Sequence, residues 1–177
     1  MSTDEHIVRI VVGVSGSPSS TAALRWAGHE ARLHSAEIWA IHAWSSPMET
    51  LAPYASRRGV PSLDQHREAS GALLTAAIRY ALGSNESGVA VRPTLVEGAP
   101  IPVLLRYAGS AHLLVLGHRL RSGHLGGISL GVVTRSCISQ TRCPTVLIAR
   151  EDVVADAEIS RFADGLHMYD NNLARRW

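Results

Sequence analysis

The chain of 177 residues lacks the features that mark several special classes of protein. Its two cysteines, Cys137 and Cys143, do not have the C-x-x-C spacing of a zinc or redox site, so we expect two structural thiols. No apolar run approaches the roughly 20 residues of a membrane-spanning helix. The first ten residues are acidic and polar, unlike a secretory leader. We therefore expect a cytoplasmic protein with no membrane partner.

The chain also lacks a large excess of charge of either sign. Lys and Arg number 17 and Asp and Glu number 15, which gives a net charge of +2 with histidine neutral. The arginines are scattered along the sequence without interleaved aromatic residues, so we expect no nucleic-acid partner. A content of 46% apolar residues is typical of a globular α/β protein of this length.

Short apolar runs alternate with helical patterns along the chain. This alternation predicts a parallel sheet with helices on both faces, because parallel strands need crossover connections. Ser17 and Pro18 fit the N-cap and first residue of the first helix. Pro93 indicates that its strand lies at an edge of the sheet or contains a bulge, because proline cannot donate to a central ladder. The predicted strands span residues 7–14, 37–44, 89–96, 113–116 and 145–148.

The first two helices are predicted from their apolar spacing. In the first helix we expect Ala23, Ala27 and Leu33 to face the core. The second begins at Ser62 or Asp64 and runs to about residue 81. Asp64, His66 and Glu68 lie in its first turn, where their spacing does not bring them to one helix face, so we interpret them as exposed.

A glycine-rich stretch follows the fourth apolar run. Gly117 is predicted to end the strand and to begin a loop that continues to Gly131 and to a helix after it. Glycines let a backbone approach a ligand, and basic side chains with a helix N-terminus suit an anion. The stretch therefore predicts a phosphate cradle, whose candidate residues are Gly117, Arg119, Arg121, Gly123, His124, Gly131, Val132 and Val133.

This stretch, with the closing strand from Thr145 to Ile148, resembles the universal stress protein family. Members of that family have a Gly-x-x-Gly motif and, after a nine-residue spacer, a Gly-Ser/Thr pair that cradle ATP. Gly117 matches the first glycine, and Gly131 matches the late glycine with one extra loop residue. Leu120 replaces the second glycine, and Val132 replaces the hydroxyl residue.

The resemblance covers roughly residues 5 to 150 and implies one α/β domain over residues 1–150. It implies a doubly wound, open, five-stranded parallel sheet, Rossmann-like, with strand order 3-2-1-4-5. It also implies a homodimer that pairs through the strand from Thr145 to Ile148. For residues 151–177 we expect a short amphipathic helix and then a disordered tail.

The resemblance further implies ATP or a related adenine nucleotide at the carboxyl ends of strands 1, 2 and 4, with Mg²⁺ entering only with the nucleotide. Gly13, Val14 and Ser15 follow strand 1, and the backbone at Ala43 is a candidate for base recognition. Family members that bind ATP usually have an aspartate at the position of Ser15. That substitution weakens one polar anchor for the nucleotide from a carboxylate to a hydroxyl.

Three functions remain open at this point. The chain could be a nucleotide-binding sensor without efficient turnover. It could instead be a regulatory member that has lost ATP, which the residues at Ser15, Leu120 and Val132 favour. It could also be an enzyme that uses the same crevice for another small molecule, although no Gly-x-Ser-x-Gly elbow is present. The nine histidines include no helical i, i+4 pair and no cysteine partner, so we expect no metal site.

Overall fold

A computed structural model describes residues 7–46, 62–83, 88–120 and 130–151, without the side chains of residues 119, 120, 150 and 151. Strands and helices alternate along these residues, as the sequence predicts. The elements are β1 (Arg9–Gly13), α1 (Pro18–His34), β2 (Glu37–Trp44), α2 (Leu63–Leu82), β3 (Val91–Glu97), α3 (Pro100–Ala108), β4 (Leu113–Leu120), α4 (Val132–Gln140) and β5 (Thr145–Glu151).

The five strands form one parallel sheet in the order β3-β2-β1-β4-β5, which confirms the predicted topology. Helices α1 and α2 contribute to the core on one face, and α3 and α4 to the core on the other. The doubly wound arrangement is therefore present. Pro93 lies in the edge strand β3, as predicted.

Helix α1 begins where the sequence predicts, but the leucine that it buries is a different one. Ser17 is its N-cap and accepts a hydrogen bond from the Ser20 amide at 3.2 Å. Leu24 is fully buried, whereas Leu33 is 64% exposed, so the predicted burial of Leu33 is wrong. Nine residues at about 100° each place Leu33 on the side of the helix opposite Leu24.

Strand β4 is longer than predicted. We expected Gly117 to end it, but the strand continues to Leu120, so that expectation is wrong. The neighbouring strand explains the difference: Gly117 pairs with Ile148 and Leu120 with Glu151, which supplies hydrogen-bonding partners beyond the apolar run. Local sequence does not show this extension, because it depends on where β5 ends.

Helix α2 carries a buried histidine at its start. Ser62 and Gln65 form a capping box, which confirms Ser62 as the N-cap. His66 is 7% exposed, and its ring lies 5.9 Å from that of Trp44 at the end of β2. The expectation of an exposed first turn is therefore wrong for His66, because α2 packs beside the end of β2.

Two arginines distant in sequence meet near the amino ends of the strands. The Arg9 guanidinium lies 3.8 Å from the centre of the Trp39 ring, and that of Arg92 lies 4.9 Å from it. The Trp39 indole N–H also donates to Glu37 at 2.7 Å. The sheet register thus groups arginines that look scattered in the sequence. Cation–π attraction stabilises this end of the sheet.

The two cysteines are free thiols. Burial raises the pKa of the Cys137 thiol. Burial also raises the pKa of Cys143, which a backbone hydrogen bond with Leu114 lowers to a lesser extent. Since both folded-state pKa values lie above 9.0, the folded chain keeps these protons where an unfolded chain loses them. Their contribution to stability is present below pH 9 and decreases as pH rises through the folded pKa.

None of the helices among the described residues is long and apolar enough to cross a membrane. Within the same residues, no group of three or more His, Cys, Asp or Glu side chains is placed to hold a metal ion.

Candidate functional site

The strand order creates a crevice between β1 and β4. From β1 the chain winds through β2 to β3 on one side, and from β4 it winds to β5 on the other. Connections leave the carboxyl ends of β1 and β4 in opposite directions, and ligands of open α/β sheets bind at such a switch point. Gly13 pairs with Leu116 across this junction, so the residues after each are neighbours at the same edge.

A serine-rich turn forms one wall of the crevice. Gly16 has a φ of 78°, which favours glycine, and a methyl group at this position would lie 2.8 Å from a side-chain carbon of Leu73, which would have to shift. The hydroxyls of Ser15 and Ser17 are 2.9 Å apart, and those of Ser17 and Ser19 are 3.1 Å apart. Ser15 therefore belongs to a row of linked hydroxyls.

The residues before this turn belong largely to the core. Val14 is 4% exposed, and its amide donates to Ile41 at 2.8 Å, so the strand pairing continues past β1. A methyl group at Gly13 would lie 2.8 Å from Leu116. At this edge Gly13 and Val14 can thus offer a ligand only backbone groups.

His42 connects β2 to this turn. Its Nδ1 atom lies 2.7 Å from the Val14 carbonyl oxygen. A carbonyl oxygen only accepts hydrogen bonds, so Nδ1 carries the proton and donates it. His42 is buried and positions the backbone of the turn. Ala43, the next residue of β2, has its side chain against the opposite core cluster, and its backbone pairs with Val96.

Gly117 brings α1 close to β4. A methyl group at position 117 would lie 2.5 Å from the Ser19 carbonyl oxygen and 2.5 Å from the Ser20 amide nitrogen. These are backbone atoms, so they cannot move away as the end of a side chain can. Gly117 therefore has a packing role: it allows the first turn of α1 to lie directly against β4.

The start of α4 lies at the same carboxyl edge of the sheet, on the face opposite α1. Gly131 is the N-cap, as the sequence predicts, and has no side chain to cap the helix. The first intrahelical bond runs from the Arg135 amide to the Gly131 carbonyl, so the amides of Val132, Val133 and Thr134 point out of the helix end. No acidic residue lies in this first turn, and no atom of the described residues lies within 4 Å of the position of a methyl group at Gly131. An anion is attracted to such a helix end.

His118 is a buried polar residue near the carboxyl end of β4. It is 5% exposed, and its Nε2 atom has no hydrogen-bond partner among the residues that the structure describes. Sequence reasoning placed it in the loop and did not select it as a binding residue. The alternation of β4 could have identified it, but only with the strand end placed correctly.

The structure brings together several of the predicted site residues and leaves others undescribed. The ends of β1, β2 and β4 and the start of α4 lie at one edge of the sheet, as expected of parallel strands. Arg119 belongs to β4, but its side chain is outside the described part of the chain, as are Arg121, Gly123 and His124. Candidates that the structure places are Gly13, Val14, Ser15, Ala43, Gly117, Gly131, Val132 and Val133.

Comparison with known sequences gives a consistent family. The model of the "Universal stress protein family" matches residues 7–149. A universal stress protein of Mycobacterium tuberculosis is 30% identical over 156 residues, which are 87% of this chain and 52% of the relative. A second one from the same organism is 29% identical over 147 residues, 82% of this chain and 49% of the relative. The chain thus spans about half the length of the curated relatives it matches.

Solved structures share the fold at low sequence identity. The universal stress protein UspA from Lactobacillus plantarum superposes with a TM-score of 0.59 at 20% identity, over 80% of this chain and 97% of that one. A universal stress protein in complex with cAMP gives 0.53 at 21% identity, over 81% and 97%. One from Archaeoglobus fulgidus in complex with dAMP gives 0.51 at 20% identity, over 81% and 98%.

Proposed function

The chain belongs to the universal stress protein family, and from that membership we propose that it binds an adenine nucleotide at the carboxyl ends of β1, β2 and β4. In this proposal the base lies near the backbone of Ala43, and the phosphate lies at the start of α4. The protein acts as a sensor or regulator that responds to the nucleotide without efficient turnover.

The main support for this proposal is the start of α4. Its first three amides have no side-chain cap, no carboxylate competes for them in the first turn, and no described residue would contact a methyl group at Gly131. These features fit a phosphate, whose oxygens accept from backbone N–H groups at a helix N-terminus. Hydrogen bonds to a charged acceptor are each worth about 1.5–3 kcal/mol, so a few amides offset the aspartate that Ser15 replaces.

The relatives of known structure support an adenine nucleotide as the ligand. Two structural neighbours hold cAMP and dAMP, each of which carries a single phosphate group on an adenine nucleoside. A ligand with one phosphate needs fewer contacts than ATP. ATP is the second candidate, and Mg²⁺ would enter only as its counterion, because divalent cations prefer carboxylate oxygens and the first turns of α1 and α4 have none.

The arrangement of the hydroxyl row supports binding rather than turnover. Hydrolysis by a serine requires a base in contact with its hydroxyl. Ser15 instead hydrogen-bonds to Ser17, and the ring nitrogen Nδ1 of the nearby His42 is engaged by the Val14 carbonyl. The described contacts of Ser15 and of His42 Nδ1 therefore favour binding over turnover.

The variant Gly131→Asp tests the proposal. Aspartate at the N-cap position supplies a carboxylate to the exposed amides and repels a phosphate, so we expect AMP and cAMP to bind at least about tenfold more weakly. The helix itself should be as stable as before or slightly more stable, because aspartate is a good N-cap. Isothermal titration calorimetry with AMP, cAMP and ATP measures the affinities.

Gly131→Asn is the matched control. Asparagine has nearly the same size and capping geometry without the charge, so it separates repulsion of the phosphate from occupation of the amides. We expect an intermediate affinity for this variant. If the aspartate variant binds nucleotide as tightly as the wild type, the phosphate does not lie at α4. If the wild type binds none of the three nucleotides, the proposed function is wrong.

We also propose that the chain forms a homodimer through the edge strand β5. This strand lies at the end of the sheet, and the side chains of Val146, Leu147 and Ile148 are only partly buried. An exposed apolar edge favours pairing with a second copy. Light scattering coupled to size-exclusion chromatography should give twice the chain mass at tens of micromolar, and Val146→Lys should reduce it to one chain mass. A wild-type monomer under these conditions would refute the dimer.

A further inference from the structure

His118 combines deep burial with an unused polar atom. The residue is 5% exposed, and its buried Nε2 atom has no hydrogen-bond partner within the described part of the chain. Buried polar atoms in native proteins nearly always have partners, because an unsatisfied group loses its hydration without compensation. An exception next to a crevice indicates a group that a ligand completes.

The position of His118 follows from the alternation of β4. Leu114 and Leu116 face the core cluster that contains Cys137 of α4, and His118 lies two residues further along on the same face. Two strand residues advance by about 6.5 Å. One turn back from Cys137, about 6 Å along the helix axis, is Val133. Helix α4 runs opposite to β4, because β4 and β5 are parallel, so this advance along β4 leads toward the start of α4, where the uncapped amides are.

From this geometry we infer that His118 Nε2–H donates a hydrogen bond to a phosphate oxygen of the bound nucleotide, together with the first amides of α4. The inference rests on the proposed function and adds a side chain that determines which ligands bind. It differs from the role of His42, whose Nδ1 atom is already engaged by the protein backbone. In this inference the Nε2–H group of His118 is a hydrogen-bond donor that the protein does not use, and the ligand supplies its acceptor.

The opposite direction of hydrogen bonding at His118 Nε2 can be distinguished by experiment. An Nε2 lone pair could accept from a ribose hydroxyl instead of donating to a phosphate. The neighbouring helix end favours an anion, since its partial positive charge attracts phosphate and does not attract a neutral hydroxyl. The comparison of AMP with adenosine separates the two, because adenosine has the ribose and lacks the phosphate.

The test uses three variants of the full chain. His118→Leu removes both ring nitrogens, His118→Gln keeps an N–H near the position of Nε2, and His118→Asn places its amide near the position of Nδ1. Calorimetry measures the affinity of each for AMP and for adenosine, and thermal unfolding without ligand measures stability. We expect the leucine and asparagine variants to bind AMP roughly tenfold or more weakly, and the glutamine variant to retain most of the affinity. Adenosine binding should be unchanged in all three.

The melting temperature without ligand is a second readout. It should rise in the same variant that loses affinity for AMP. His118→Leu removes a buried polar atom that has no partner, so the melting temperature without ligand should rise by about a few degrees. A purely structural histidine would give the reverse, with the melting temperature lowered and AMP binding lost only as far as the fold is lost.

The outcomes separate the two proposals. If the wild type binds AMP, Gly131→Asp weakens that binding and His118→Leu does not, the role of His118 is wrong and the proposed function stands. If His118→Leu weakens adenosine and AMP equally, the contact is to the nucleoside and the phosphate contact is wrong. A wild-type chain that binds no nucleotide refutes both.

Discussion

Gly117→Ala is expected to lower the free energy of unfolding by about 3 kcal/mol. The added methyl group would lie 2.5 Å from the carbonyl oxygen of Ser19 and from the amide nitrogen of Ser20. Both atoms belong to the first turn of α1, so relief requires the helix to move away from β4. Such a movement separates α1 from the buried residues of β4, and the cost follows from the lost packing. Urea unfolding followed by circular dichroism measures the change.

Gly71→Ala is the matched control for this substitution. Gly71 lies within α2, and a methyl group there would meet only Leu95, at an ordinary contact distance of 3.7 Å. Alanine is the better helix former, so this variant should be more stable by about 0.5–1 kcal/mol. Opposite signs for the two glycines would confirm that contact with α1 determines the residue at 117. A loss below 1 kcal/mol for Gly117→Ala would contradict the close approach.

Leu24→Ala should destabilise the chain by about 3–5 kcal/mol, while Leu33→Ala should change stability by less than about 0.5 kcal/mol. Both leucines are in α1, so helix propensity contributes equally to both variants. Leu24 is fully buried between the helix and the sheet, and its truncation leaves a cavity. Leu33 is 64% exposed and loses little contact. Thermal and urea unfolding of the pair give the difference directly.

The comparison of Leu24→Ala with Leu33→Ala also tests the orientation of α1 on the sheet. A rotation of the helix by half a turn would exchange the two values, since the residues lie on opposite sides. Comparable losses for both variants would show that the end of α1 packs against another surface. The orientation matters for the site, because it directs Ser19 and Ser20 toward Gly117.

The sequence predicted correctly those elements whose position depends on residues within the element itself. The run from Glu37 to Trp44 predicted β2 with the bounds that the structure has. Ser17 and Pro18 predicted the start of α1, and Pro93 predicted the edge position of β3. The strand order came from the family resemblance, since hydrophobic periodicity identifies strands but does not order them.

The remaining differences arise from contacts between distant segments. The extension of β4 depends on β5, and the burial of His66 depends on Trp44, so neither is visible in its own stretch of sequence. At the candidate site, the helix start at Val132 was predicted from Gly131 and the pattern after it. His118 was missed, because a residue assigned to a loop is not expected to be buried.

The pairing of β1 with β4 has a consequence for synthesis of the chain on the ribosome. The contact between Arg9 and His112 joins residues 103 positions apart, and β4 is the inner neighbour of the first strand. Until β4 has emerged, the hydrogen-bonding groups along that side of β1 have no strand to pair with. Non-local pairing of this kind slows folding, and an open strand edge promotes association between nascent chains. The switch point between β1 and β4 therefore forms only after β4 has emerged.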